Sequence, residues 1–332
     1  MLLSITHKTD LSYSDYINES VMELRMAPRH EHDQHRLSFG LDIGPPTSVK
    51  SYFDWLGNTI HAFSINALHD QIQIIATSIV ETAPQFTSLE AFDDQWTPDR
   101  TFDYALCDFL LFGGPVVDTP LLRDLATNLL LETGSNEGPV KLGALTEAML
   151  RLVDQKFVYE KGVTTAASPI TEILEHGKGV CQDFTHLMIG LARALNIPAR
   201  YVSGYIHPMR QRFRGYTQTH AWVELFFPSV GWVGVDPTNN CIVGGNFVKV
   251  AIGRNFQDVT PNKGVYKGKG EETIKVAVHS EELSTIPIQL AAERTGALDL
   301  PCYADARIGT LDAHQEQHHL EQEQQEQQQQ QN

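Results

Sequence analysis

Basic residues are scarce in this sequence. Across 332 residues, 25 Lys and Arg stand against 41 Asp and Glu, a formal charge of −16. Such a surface repels phosphate backbones and anionic lipid headgroups, so a nucleic-acid partner and a membrane partner are both disfavoured, and the acidity reads as solubility. Long apolar runs are missing too. No segment approaches the ~18 consecutive apolar residues of a membrane span, and the N-terminal MLLSITHKTDLSYSDY alternates apolar with polar residues where a signal peptide needs a continuous apolar stretch. A soluble, cytoplasmic protein is expected. Cysteine is rare: Cys107, Cys181, Cys241 and Cys302 lie far apart without a CxxC pair, which disfavours zinc and gives no disulfide framework. A reducing compartment would leave a lone reactive thiolate intact.

What is present suggests two folded units, because the chain is about twice the usual domain length. From residue 2 to about 84 the pattern has period two: Leu37, Phe39, Leu41 and Ile43 alternate with Ser38, Gly40 and Asp42, and Gly44-Pro45-Pro46 and Gly57-Asn58 break the runs. An antiparallel sheet domain is expected there. Between about 119 and 155, Leu121, Leu122, Leu125, Leu129, Leu142, Leu145, Met149, Leu152 and Val153 fall at helical spacings, with a loop over 134–139. After Pro198 the pattern returns to strands, at 200–206, 221–227, 232–235 and 273–278. The fold class is therefore α+β. The last twenty residues contain ten glutamines and are expected to be a solvated, disordered tail.

The segment GKGVCQDFTH, residues 177–186, sets Cys181 between two glycines and a helix start. From Phe184 on, Leu187, Met188, Leu191 and Leu195 recur at three- and four-residue spacings until Asn196-Ile197-Pro198 stops the run, a buried amphipathic helix of about four turns. Backbone N–H groups at a helix start are unpaired and the dipole is positive there, so a thiolate is stabilised and an oxyanion can be bound at one place. Gly177 and Gly179 are expected to bend the chain sharply into the helix and to leave room for substrate. The bland alternative is a small buried residue after a turn, since free cysteine is among the most buried types.

A thiolate nucleophile needs a base and a group that orients the base. His220 opens one apolar strand, THAWVE, and Asp236 closes the next, GWVGVDPT. If the two form a hairpin, its loop decides whether they share a face. A four-residue loop, 228–231, sends Asp236 to the wrong side, whereas a three-residue loop, 228–230, or a five-residue one, 227–231, pairs Phe226 with Trp232 and Trp222 with Asp236. His220 and Asp236 are then diagonal neighbours at roughly 7–8 Å. An odd loop is expected.

GVCQDFTHLMIGLARALNIPARYVSGY, THAWVELFFPSVGWVGVDPTNN and VAIGRNFQDVTPNKGVYKG together resemble the transglutaminase-like superfamily, in its bacterial cysteine-protease branch, and ELRMAPR with DWLGNTIHAF is similar to that branch's N-terminal region. The resemblance covers most of residues 1–280 and implies an N-terminal antiparallel β-sandwich-like domain (1–85), a helical connecting segment (86–155) and a papain-like, transglutaminase-like catalytic core (156–280). A C-terminal extension (281–312) and the tail (313–332) follow. It implies a triad of Cys181 as nucleophile, His220 as general base and acid, and Asp236 as the residue orienting the imidazole, acting on peptide or carboxamide bonds through a thioester. A peptide or protein is the implied partner, with an amine as an alternative acyl acceptor; a non-catalytic interaction module is the remaining alternative.

Around this set, Gln182 and Trp222 are candidates to line the substrate or oxyanion site, while Asp183 is expected to make a structural hydrogen bond at the helix start. His186, about 140° around the helix from Cys181, is expected to be a partly buried, hydrogen-bonded residue. Arg254 is expected to brace the strands by pairing with Asp258. The run His30-Glu31-His32-Asp33-Gln34-His35 is expected to be a solvated loop rather than a metal site. No acidic loop has an EF-hand pattern, so no metal and no cofactor is expected.

Overall fold

The computed structural model describes residues 1–83, 86, 88–136, 138–208, 214, 219–287 and 292–303, so the glutamine-rich tail lies outside the described residues. The chain opens with β1 (Leu2–Leu24), β2 (Gln34–Gly44), β3 (Val49–Phe53), β4 (Thr59–Ile65) and β5 (His69–Thr82). Next come α1 (Tyr104–Cys107), α2 (Pro120–Glu132), α3 (Leu142–Lys156), β6 (Val158–Tyr159), α4 (Ile170–His176), β7 (Lys178–Gly179) and α5 (Cys181–Ala194). The rest is β8 (Ala199–Ile206), β9 (His220–Phe227), β10 (Gly231–Asp236), β11 (Cys241–Ile242), β12 (Phe247–Gly253), α6 (Phe256–Val259), β13 (Asn262–Gly268), β14 (Glu272–Glu282) and β15 (Glu293–Ala297).

Alternation along β1 buries Leu3, Ile5, His7, Thr9, Leu11 and Tyr13 on one face. The strand shifts register against β5 between Ser12 and Ile17; Leu11 and Tyr13 before the shift share a core with Met22, Leu24, Leu41, Phe63 and Ile74, while Leu3 and Ile5 at its start join the core around α5. The sandwich-like domain is thus a single hydrogen-bonded sheet in the order β15-β2-β5-β1-β4-β3, folded over itself. The other edge of β1 is taken by β14 along its first half and β13 along its second, and β15 adds to β2 in parallel.

This corrects the expected domain boundaries. The strands within 262–280, assigned to the catalytic core, and those within the 281–312 extension belong to the N-terminal sheet. Period-two patterning identifies a strand but not its partner, and the partner here is β1.

The thiol-bearing unit is a five-stranded antiparallel sheet, β11-β10-β9-β8-β12, with α5 packed on it. Helix α2 starts where the Thr119 hydroxyl accepts from the Leu122 N–H at 3.1 Å and Pro120 occupies the first turn. Helix α5 is the pillar of the core: Leu187, Met188, Ile189 and Leu191 are fully buried, each contributing about 1.5–3 kcal/mol by removal of apolar area from water. Its end is fixed by buried Arg193, which donates to the carbonyls of Phe109 (3.0 Å), Leu111 (2.6 Å), Ala199 (3.0 Å) and Arg254 (2.7 Å). Asn196 in the left-handed region then turns the chain into Pro198.

The two units are joined along the outer edge of β12. The Gln34 side-chain amide accepts from the Lys249 N–H at 2.7 Å and donates to its carbonyl at 2.8 Å, and the Asn58 amide does the same for Ile252 at 2.9 and 2.8 Å. Two side chains thereby stand in for a missing strand and cover an edge that would otherwise be open. Beside them Lys249 bridges Glu31 (2.6 Å) and Glu224 (2.5 Å), with Arg29 on Glu31 and Arg200 on Glu224. Burial would raise the Glu31 carboxyl, but Lys249 and Arg29 outweigh it and hold it down at about 2. In the run His30–His35 the three histidines are exposed, as a solvated loop would have them, but Glu31 and Gln34 depart from that expectation as anchors of the domain interface.

Candidate functional site

Helix α4 ends on Gly177 in the left-handed conformation, φ 68°, which a residue with a side chain adopts reluctantly. The chain then extends through β7, pairs in parallel with β6, passes Val180 in an extended conformation and enters α5 at Cys181. The Asp183 carboxylate folds back to accept from the Val180 N–H at 2.8 Å and from the Thr164 hydroxyl at 2.6 Å, the structural role expected of it. A Cβ on Gly179 would stand 2.8 Å from the Asp183 Cβ, so this glycine makes room for the cap rather than for substrate. Cys181 is 9% exposed, as the first residue of the helix beside free backbone N–H groups.

His220 opens β9 and Asp236 closes β10. The connection is the odd one: Phe226 faces Trp232 and Val223 faces Val235, leaving residues 228–230 as the loop, with Gly231 at φ 86°. His220 Nε2 donates to Asp236 Oδ2 at 2.8 Å, and both side chains are fully buried. Burial alone would lower the imidazole pKa, but the Asp236 carboxylate, with a further contribution from nearby Cys181, raises it to about 10. The other ring nitrogen, Nδ1, is buried without a hydrogen-bond partner. His220 and Asp236 are thus hydrogen-bonded, and Cys181 at the start of α5 is near enough for its charge to act on the imidazole.

Two further neighbours were not anticipated. Asn239 donates to Asp236 Oδ2 at 2.6 Å, and Tyr159 of β6, half-buried, has its hydroxyl raised to about 12 by burial and then by Cys181. A two-residue strand leaves no periodic signal, and the direction of the Asn239 carboxamide depends on the turn after Asp236.

Trp222 needs correction as a substrate-lining candidate. It is fully buried, with its ring centroid 6.3 Å from that of His220 at 29° and its benzo edge over Gly204, where a Cβ would meet it at 2.5 Å. It backs the imidazole from within the core. Gln182 is half-buried at the second position of α5. His186 is wholly rather than partly buried; its Nε2 accepts from the Phe256 N–H at 3.2 Å, and burial pushes its pKa down to about 3. Arg254 pairs with Asp258 at 2.9 Å, as expected, though within the turn from β12 to α6. Among the described residues no group of three His, Cys, Asp or Glu gathers as a metal site.

Residues 135–237, which include Cys181, His220 and Asp236, match the family model of the transglutaminase-like superfamily, and residues 3–81 match that of the bacterial transglutaminase-like N-terminal region. An uncharacterised protein of Mycobacterium leprae is 31% identical over 286 residues, 85% of this chain and 99% of its own length. The protein-glutamine gamma-glutamyltransferase of Pseudomonas aeruginosa is 32% identical over 132 residues, 37% of this chain but 19% of its own. The crystal structure of a "Putative Cysteine Protease" from Cytophaga hutchinsonii superposes with a TM-score of 0.65, covering 88% of this chain and 95% of that one. At 21% identity that likeness establishes the fold.

Proposed function

Because the chain belongs to the transglutaminase-like superfamily, we propose that it is a thiol hydrolase, a peptidase or amidase that cleaves peptide or carboxamide bonds through Cys181, His220 and Asp236. The observation that carries this reading is the dry His220–Asp236 hydrogen bond, with the imidazole's second nitrogen unpartnered and Cys181 acting on the ring from a helix start. The thiol proton passes to His220, and the thiolate attacks the carbonyl carbon. Backbone N–H groups at the start of α5 stabilise the oxyanion. His220 returns the proton to the departing amine or ammonia as the C–N bond breaks, leaving a thioester. Water, deprotonated by His220, attacks the thioester; the acid departs and the thiol is restored.

Transfer of the acyl group to an amine is a second reading, favoured by the match to a protein-glutamine gamma-glutamyltransferase over 132 residues. The two share every step up to the thioester. Iodoacetamide labelling read by peptide mass spectrometry tests the common part: Cys181 should react fastest of the four cysteines near neutral pH, and His220→Ala should slow it. Equal reactivity of all four would sink the enzymatic reading. Product analysis with and without a primary amine then separates acid from amide.

A further inference from the structure

Asp236 is held by more than the histidine. Its Oδ2 accepts from His220 Nε2 at 2.8 Å and from Asn239 Nδ2 at 2.6 Å, and its Oδ1 accepts from the Thr238 N–H at 2.9 Å. A carboxylate has about four lone-pair directions, so fixed donors occupy most of them and its rotation is blocked. The other end of the Asn239 carboxamide faces away from the triad, where Oδ1 accepts from the Arg214 N–H at 2.8 Å. The amide orientation follows from these partners, because only Nδ2 can donate to a carboxylate and only Oδ1 can accept from a backbone N–H. Asn240, in the left-handed region at φ 49°, turns the chain just after this residue. The Arg214 guanidinium lies 5.6 Å from the centre of the Tyr159 ring, whose hydroxyl already responds to Cys181.

We propose that Asn239 is a positioning residue of the thiol site, its carboxamide fixing the Asp236 carboxylate against His220 while tying it to the Arg214 backbone beside Tyr159. The inference rests on the thiol reading above and deepens it. A primary carboxamide is suited to both tasks, donating on one side and accepting on the other. Aspartate of the same shape keeps the acceptor for Arg214 but sets one carboxylate against another at hydrogen-bonding distance, where both cannot stay ionised without a shared proton. In Asn239→Asp the added carboxyl therefore holds a proton to higher pH than an ordinary one, and while protonated it donates to Asp236 as the native amide does.

The test compares Cys181 alkylation by iodoacetamide across pH in the native chain, Asn239→Ala and Asn239→Asp. Asn239→Ala is expected to react on the order of tenfold more slowly throughout, the scale of one hydrogen bond to a charged group. Asn239→Asp is expected to approach the native rate as pH falls and to diverge from it as pH rises, a dependence that loss of packing alone does not produce. Rates within twofold of native for both variants at every pH would overturn the proposal. Titration of the His220 imidazole by NMR reads the same coupling without reference to reactivity: Asn239→Asp should move it upward, and an unmoved titration counts against Asn239 even if Cys181 is reactive. A native Cys181 no more reactive than Cys107, Cys241 or Cys302 would remove the enzymatic reading instead, and an upward move of the titration would still support the coupling.

Discussion

Two influences of opposite sign meet on His220. Burial favours the neutral ring, while Asp236 and then Cys181 favour the charged one and win, holding the pKa at about 10. Because the folded value lies above that of an unfolded histidine, the stabilisation this pair contributes is full below about pH 6.5 and is lost as pH rises through the folded value. Asp236→Asn removes the stronger influence and leaves burial in command. The imidazole titration, followed by NMR, should fall from about 10 to below the ordinary histidine value, leaving a neutral ring at pH 7 and a thiol deprived of its counter-charge; a titration still near 10 would show that the carboxylate is not what holds the proton. The placement of Cys181 at a helix start, His220 at the start of a strand and Asp236 at the end of the next was legible in the sequence because each sits where an apolar period begins or ends. Asn239 and Tyr159 were not, since their roles depend on a turn and on a two-residue pairing.

At the scale of elements, α5 and the β9–β10 hairpin were the legible parts. The helix shows its period over fourteen residues, and requiring His220 and Asp236 to share a face selected the odd loop that β9 and β10 adopt. Helix α4, seven residues long, is too short for periodicity to detect, so Gly177 read as a bend for substrate when it is the end of a helix. What fixes α5 at its far end was equally hidden: Arg193 is buried among carbonyls contributed by three separate segments. Burial, then Arg254, lowers its pKa to about 10, so it still carries its charge at neutral pH. Arg193→Met would leave four carbonyls without their donor and is expected to cost about 3–5 kcal/mol in urea unfolding. A loss under 1 kcal/mol would mean that water substitutes freely for the guanidinium.

For the whole molecule, the titration of stability follows from its buried histidines. Burial lowers His7 to about 4 and His186 to about 3, and it lowers His61 and His69 as well. Each binds a proton more readily in the unfolded chain, so its contribution is full above about pH 6.5 and is lost as pH falls toward the folded values. Urea midpoints should therefore decline from pH 6.5 downward, and His186→Gln, which keeps an acceptor for the Phe256 N–H, should make that decline shallower. An unchanged slope would place the acid sensitivity elsewhere. The domain boundary was the least legible feature at this scale, because the strands that finish the first sheet resemble any others in sequence.

That arrangement has a consequence for synthesis. The edge of β1 taken by β13 and β14 waits while residues 83–261 are made, on the order of ten to forty seconds at ordinary elongation rates. Through that interval a long strand in the nascent chain shows open hydrogen-bonding groups to every neighbour on the polysome, and a ribosome that stops before β13 releases a product with that edge bare. The strands that close the sheet therefore also distinguish finished chains from unfinished ones, which chaperones and proteases can sort by their exposed edge.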